Sequence, residues 1–132
     1  KDAAGNAMAV DSTWSFTTVA DTTAPTITAR VPASTATGVA RTTTVRATFS
    51  EDMDPATINT NTVQLAAPGG ALVTATVAYD AATRRAILTP SSQLAAFTVF
   101  TVTVRGGTTD PRVKDQAGNA LSATATWQFR TQ

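Results

Sequence analysis

Apolar and polar residues alternate along several short stretches of this chain, and such alternation predicts β-strands. In residues 45–49, Val45, Ala47 and Phe49 fall on one face, while Arg46 and Thr48 fall on the other. Similar strand signals run along residues 26–31, 62–66, 72–80, 84–90, 97–105 and 124–131. Because Phe100, Val102 and Val104 share one face of the fifth of these stretches, that face is expected to point into a core.

Turn signals separate the predicted strands. Residues 32–40 (PASTATGVA) are predicted as a turn-rich connection, and residues 68–70 (PGG) as a tight turn. Asp54 before Pro55 predicts an N-capped single helical turn. Seven to eight short strands with one such turn indicate an all-β fold, an antiparallel β-sandwich, with a closed barrel as the less favoured alternative. Parallel α/β folds are excluded because the chain has no room for crossover helices.

The two ends of the chain carry the same segment. Residues 1–18 align without a gap on residues 114–131 at a constant offset of 113, which brings Trp14 onto Trp127 and Phe16 onto Phe129. The offset has the size of one domain. We therefore expect residues 1–20 to be the terminal strand of a preceding repeat plus linker, and residues 21–132 to be one whole domain.

Detached from its own repeat, the segment of residues 1–18 would carry Trp14 and Phe16 without cover. We expect it to dock on an exposed edge or apolar surface, either of its own domain or of another copy, by strand addition or strand exchange.

Composition excludes several classes of function. The net charge is +1 and the arginines are scattered, which argues against a nucleic-acid partner. No apolar run approaches the ~20 residues that a membrane span requires. The sequence therefore predicts no membrane span in this fragment. The chain has neither cysteine nor histidine, which excludes disulfides and nucleophilic triads built on these residues.

Several motifs, in order and spacing, resemble a known family. They are DTTAPTIT, VPASTATGVARTTTVRATFSEDMDPATINTNTVQL, VAYDAATRRAILTPSSQLA, FTVTV and DQAGNAL followed by TWQFRT. The chain is similar over about residues 24–131 to the bacterial Ig-like domain of the SbsA type, also called Big_5.

This resemblance implies an Ig-like sandwich that occurs in tandem in surface-layer proteins, adhesins and large exported enzymes. It therefore implies a non-catalytic structural spacer of a secreted or cell-surface protein, whose partners are neighbouring Ig-like repeats. The alternative is a carbohydrate- or protein-binding accessory or adhesion module.

Two apolar residues depart from the family pattern. Phe97 and Val99 stand where the family usually has Gly and Thr, which places apolar area on a loop and on an outward strand face. This pair is a candidate contact surface. Alternatively, the N-terminal segment covers it.

A more distant resemblance is to the copper-resistance Ig-like domains, whose copper site uses His and Met ligands. This chain has no histidine, and its methionines are Met8 and Met53 alone. We therefore exclude a site for soft or borderline metals and expect no cofactor, apart from the calcium discussed next.

One group of oxygen-bearing residues is a calcium candidate. Asp115, Gly118 and Asn119 are suited to a turn that leads into the final strand, with Gly118 and Asn119 tolerating positive φ. Residues 21–25 (DTTAP) are also predicted as a linker, since they are polar and end in a proline. The alternative is that Asp110, Asp115 or Asn119 meets Asp21 of this linker and binds Ca²⁺ at a repeat junction, because carboxylate and amide oxygens suit calcium.

The carboxylates of residues 51–54 (EDMD) are close together in sequence, as a glycosidase or calcium site would require. The favoured interpretation is that Asp54 caps the helical turn while Glu51 and Asp52 remain solvated. Trp127 and Phe129 are expected to be core residues rather than a sugar-binding pair, since strand alternation places both on the buried face.

Overall fold

The structure, a computed structural model, describes residues 21–132, and within this range it is built from strands. The strands are β1 (Ile27–Val31), β2 (Ala36–Val39), β3 (Val45–Phe49), β4 (Val63–Ala66), β5 (Ala75–Asp80), β6 (Arg85–Pro90), β7 (Val99–Val104) and β8 (Ala125–Thr131). A 3-10 turn, Pro55–Thr57, follows Asp54, whose side chain accepts a hydrogen bond from the Ala56 amide at 3.0 Å. The predicted capped turn is therefore confirmed.

The eight strands form two four-stranded sheets with the orders β1-β3-β6-β5 and β2-β8-β7-β4. The predicted all-β Ig-like sandwich is confirmed. One pairing differs from expectation, because β2 lies in the segment predicted as turns and pairs with β8 in parallel. This strand has only four residues, includes Gly38 at φ +64°, and pairs with β8 at two Cα positions. It is therefore too short and irregular to show an alternation of apolar and polar residues.

The core lies between the sheets and is built from the predicted inward faces. Val45, Ala47 and Phe49 of β3 are buried, and so are Phe100, Val102 and Val104 of β7. The rings of Phe100 and Phe129 stack with their centroids 5.9 Å apart. Met53 is fully buried, which places the one described methionine in the core.

The chain begins and ends its path through the sandwich at opposite ends. The end that carries Asp21, Glu51 and Asp115 is called the acidic end, and the end that carries Arg41, Phe97 and Gln132 is called the distal end. Ala125, at the start of β8, pairs with Val104 near the acidic end. β8 then runs for seven residues, about 20 Å, to Thr131 at the distal end.

Hydrogen bonds assign the loops to these two ends. At the acidic end, the Asp54 amide donates to the Lys114 carbonyl at 2.9 Å. At the distal end, the Gln132 amide donates to the Val39 carbonyl at 2.9 Å, and the Leu94 amide donates to the Arg41 carbonyl at 2.9 Å. The linker and the last residue are therefore a full strand length apart.

Predictions for residues 1–20, including the terminal-strand assignment and its docking, lie outside the described residues and stay predictions. Among the described residues, no helix is long and apolar enough to cross a membrane.

Candidate cation site

Three carboxylates converge at the acidic end. Asp21 comes from the linker, Glu51 from the loop after β3, and Asp115 from the loop before β8. One oxygen of each lies within 4.8 Å of the others, although the residues are far apart in sequence. Asp115 is buried, Glu51 is partly buried and Asp21 is exposed. The group therefore opens to solvent on the linker side.

The turn of residues 115–119 holds Asp115 in place. Its Oδ1 atom accepts a hydrogen bond from the Asn119 amide at 2.7 Å, and its carbonyl accepts one from the Gly118 amide at 3.1 Å. Gly118 has φ +92°, a conformation that glycine adopts without strain. An isolated antiparallel bridge between Met53 and Asp115 joins this turn to the loop after β3. The turn predicted from the sequence is confirmed.

Asn119 connects the turn to the linker. Its Nδ2 group donates to the Asp21 carbonyl at 2.7 Å and to the Asp115 Oδ2 atom at 3.0 Å. The Asp21 Oδ1 atom accepts from the Thr23 amide at 2.9 Å, which orients the carboxylate within the linker. A single amide side chain therefore fixes the start of the domain against its last loop.

The proximity of the carboxylates separates the pKa values of two of them. Burial, hydrogen bonds to Asp115 and Asp21, and their negative charges raise the pKa of Glu51 to about 7. Burial also acts to raise the pKa of Asp115, but hydrogen bonds from Asn119 and Glu51 outweigh it and the pKa is lowered. The opposite shifts favour a protonated Glu51 beside an ionised Asp115.

The structure brings together three of the four predicted calcium ligands, Asp21, Asp115 and Asn119, and not Asp110. Asp110 instead accepts from Arg112 Nε at 2.9 Å and pairs with Lys114 Nζ at 3.2 Å. Hydrogen bonds from these two cations lower its pKa.

Glu51 was expected to stay solvated and is the third carboxylate of the cluster. Its neighbour Asp52 forms an exposed ion pair with Arg84, with Nε and Oδ1 3.0 Å apart. The sequence contains no local signal for the difference between these two residues, because the contacts of Glu51 come from residues 30 or more positions away.

The cluster has two chemically reasonable states. At lower pH a proton on Glu51 relieves the repulsion among the three carboxylates. At higher pH all three are ionised and present oxygen ligands of the kind that calcium prefers. The two states differ by one proton, so pH is the variable that separates them.

We expect the domain to lose stability as the pH rises from 5 to 8. Glu51 has a pKa of about 7 in the folded protein and an ordinary value of 4.5, so between these values the folded protein binds more protons than the unfolded chain. Its contribution is present below pH 4.5 and is lost as the pH rises through 7. Because Glu51 is partly exposed, the loss should stay below about 1 kcal/mol. Urea unfolding at each pH measures it, and Glu51→Gln should abolish it.

Calcium should reverse this loss if the cluster binds it. About 5 mM Ca²⁺ should raise the melting temperature more at pH 8 than at pH 5.5. Asp110→Asn is the matched control, since it removes a carboxylate outside the cluster and should leave the calcium response intact. An unchanged melting temperature at pH 8 would rule out the calcium site.

The apolar pair that departs from the family pattern is exposed, as expected. Phe97 is 74% exposed and lies in the loop before β7, while Val99 is 42% exposed at the start of that strand. Val99 lines a shallow groove of about 210 Å³ beside β2 and β8. Contact through this pair stays a prediction.

Two facing four-stranded sheets with short connections form an immunoglobulin-like β-sandwich. The bacterial Ig-like domain family matches residues 21–131, and the chain belongs to this family. No curated protein matches the chain.

Solved structures share the fold at low identity. Domains 1–6 of the surface-layer protein SbsC superpose with a TM-score of 0.60 at 19% identity, over 84% of this chain and 14% of SbsC. CopC from Methylosinus trichosporium OB3b has a TM-score of 0.65 at 17% identity, over 82% of this chain and 93% of CopC. PcoC, a methionine-rich copper resistance protein from Escherichia coli, has a TM-score of 0.66 at 17% identity, over 83% of this chain and all of PcoC.

Proposed function

We propose that this domain is a non-catalytic structural spacer, one repeat of a rod of Ig-like modules in a secreted or cell-surface multidomain bacterial protein. The observation that carries the proposal is the position of Asp21 and Gln132 at opposite ends of the sandwich. Repeats joined through these ends extend away from one another, whereas adjacent termini would fold the array back on itself.

Three further observations support a spacer. The internal offset of 113 residues matches one domain length. The family is the bacterial Ig-like domain, and one structural neighbour is a surface-layer protein whose matched part is 14% of its chain. At the acidic end, Asn119 ties the linker to the loop of residues 115–119, which restricts motion at the start of the domain.

Arrays of one, two and three copies test the proposal. Each added copy of the domain should increase the maximal dimension in small-angle X-ray scattering by a constant increment of about 35 Å, the diameter of a compact domain of this size. A flexible string would instead grow roughly as the square root of the copy number. Square-root growth would therefore contradict the rod.

The exposure of Phe97 and Val99 favours a second candidate, an adhesion module that binds carbohydrate or protein. Binding on a glycan array that is lost in Phe97→Ser but retained in Arg85→Ala, on the other sheet, would favour this candidate over the spacer. Calcium binding at the acidic end is a separate prediction, and it is compatible with both candidates.

A further inference from the structure

We infer that the distal end around Phe97 packs directly against the acidic end of the following repeat. The inference rests on the proposed tandem array and adds to it a specific interface. It assigns the exposed Phe97 to a second copy of this fold in the same chain, rather than to solvent or to a foreign ligand.

The length of the linker requires the two ends to be close. In the internal repeat, Thr18 occupies the position of Thr131, and the two residues Val19 and Ala20 separate it from Asp21. Three Cα–Cα steps span at most about 11 Å. Asp21 itself is held on the domain by Asn119, so the linker gains no reach beyond this residue. Repeats with this spacing therefore meet end to end.

Phe97 stands at the point where the chain leaves the domain. Its amide donates to the Gln132 carbonyl at 3.1 Å, so the loop contacts the last residue directly. Thr131 clamps the same loop, since its hydroxyl donates to the Ala95 carbonyl at 2.6 Å and accepts from the Thr98 amide at 3.0 Å. The loop that carries the exposed ring is therefore held against residues 131 and 132, where the linker to the following repeat would begin.

The backbone of Phe97 is unfavourable for its residue type. Its φ is +51°, a region that bulky residues rarely adopt. A conformation of this kind persists where the surrounding contacts impose it, and here it combines with a side chain that is 74% exposed. Within a single domain neither feature stabilises the fold. Contact with a second domain gives the exposed ring a partner.

The two ends are complementary in charge. Arg41 and Arg130 lie at the distal end, where residues 91–98 and 128–132 include no carboxylate. The acidic end carries the three-carboxylate cluster, while the charge of Asp52 beside it is balanced by Arg84. Opposite charges on facing ends favour the head-to-tail arrangement and disfavour contact between two like ends.

The acidic end has a cleft that can accommodate an aromatic ring. A cleft of about 450 Å³ is lined by Asp21, Glu51, Asp52, Arg84, Gln116 and Ala117. Arg84 is held there by Asp52 and by the Ser50 carbonyl, which its Nη1 group approaches to 3.3 Å. A fixed guanidinium is a good platform for a phenyl ring, and the methyl group of Ala117 adds apolar surface beside it.

The test uses a tandem in which residues 1–131 are followed directly by residues 19–132, which reproduces the two-residue spacing. Phe97→Ser is introduced in the first copy, where the ring faces the junction, or in the second copy, where it faces solvent. Cleavage at the junction by proteinase K should accelerate at least about tenfold for the first-copy variant and stay unchanged for the second-copy variant. The free energy of unfolding of the Phe97→Ser variant with one copy of the domain checks that the domain itself is intact.

Arg84→Ala provides the reciprocal test, because it should accelerate cleavage only in the second copy. Equal cleavage of the two Phe97→Ser tandems would overturn the interface. The scattering increments decide the rod independently, so a constant increment combined with equal cleavage would retain the proposed function and reject this inference.

Discussion

Replacing Trp127 with alanine is expected to lower the free energy of unfolding by about 3–5 kcal/mol, a large part of the stability of a typical domain. Trp127 is 4% exposed and belongs to β8, one of the two inner strands of its sheet. Its Nε1 group donates to the Pro32 carbonyl at 2.9 Å, and the Arg30 guanidinium lies 5.4 Å from its ring centroid. The truncation leaves a cavity and an unpaired buried carbonyl. Urea unfolding of the full chain measures the loss.

Two variants control this experiment. Trp127→Phe keeps most of the ring but removes the hydrogen bond to Pro32, so it should cost about 1–2 kcal/mol beyond the smaller ring volume. Gln128→Ala changes an exposed side chain on the same strand and should cost less than about 0.5 kcal/mol. A loss below 1 kcal/mol for Trp127→Ala would show that this ring does not organise the core.

The same variant reports on strand exchange. β8 buries Trp127, Phe129 and Thr131, and the N-terminal segment repeats all three as Trp14, Phe16 and Thr18. If that segment replaces β8 in its own domain or in a second chain, the loss in Trp127→Ala should be smaller than expected. The loss in the free energy of unfolding should then reach its full value of about 3–5 kcal/mol in the double variant that also carries Trp14→Ala. Equal losses in the single and double variants would argue against exchange.

The strands could be predicted because alternation is a local property of the sequence. Val45, Ala47 and Phe49 define a buried face by themselves, and the same holds for β7. β2 could not be predicted in this way, since its pairing comes from β8, more than 80 residues away. A parallel edge strand of four residues has too few side chains to show a period.

The cation site illustrates the same limit. Asn119 and Asp115 belong to one turn, so their association is local and was predicted. Glu51 joins them through tertiary contacts that local patterns do not encode. Asp110 did carry a local signal, because Arg112 and Lys114 follow at positions two and four and are its actual partners. These two nearby cations indicate that Asp110 forms ion pairs rather than binding calcium.

Replacing Gly106 with alanine is expected to destabilise the domain by about 3 kcal/mol, although it adds a single methyl group. A Cβ atom at this position would lie 2.5 Å from the Leu121 carbonyl oxygen and 2.6 Å from that of Ala123. Both contacts are with backbone, so no side-chain rotation relieves them. The Gly106 amide also donates to Thr124 Oγ1 at 3.1 Å, which holds the two segments together. Urea unfolding measures the loss.

Gly107 is the matched control, because the sequence Gly106-Gly107 does not reveal which glycine is sterically constrained. Gly107 has φ +87° and open space around a built Cβ atom. Asparagine tolerates positive φ better than other non-glycine residues, so Gly107→Asn should cost less than about 1 kcal/mol. A larger loss for Gly107→Asn than for Gly106→Ala would mean that backbone conformation, rather than close approach of residues 121–124, determines the need for glycine here. The opposite order would show that β7 and the segment leading into β8 are held at a separation that admits no side chain.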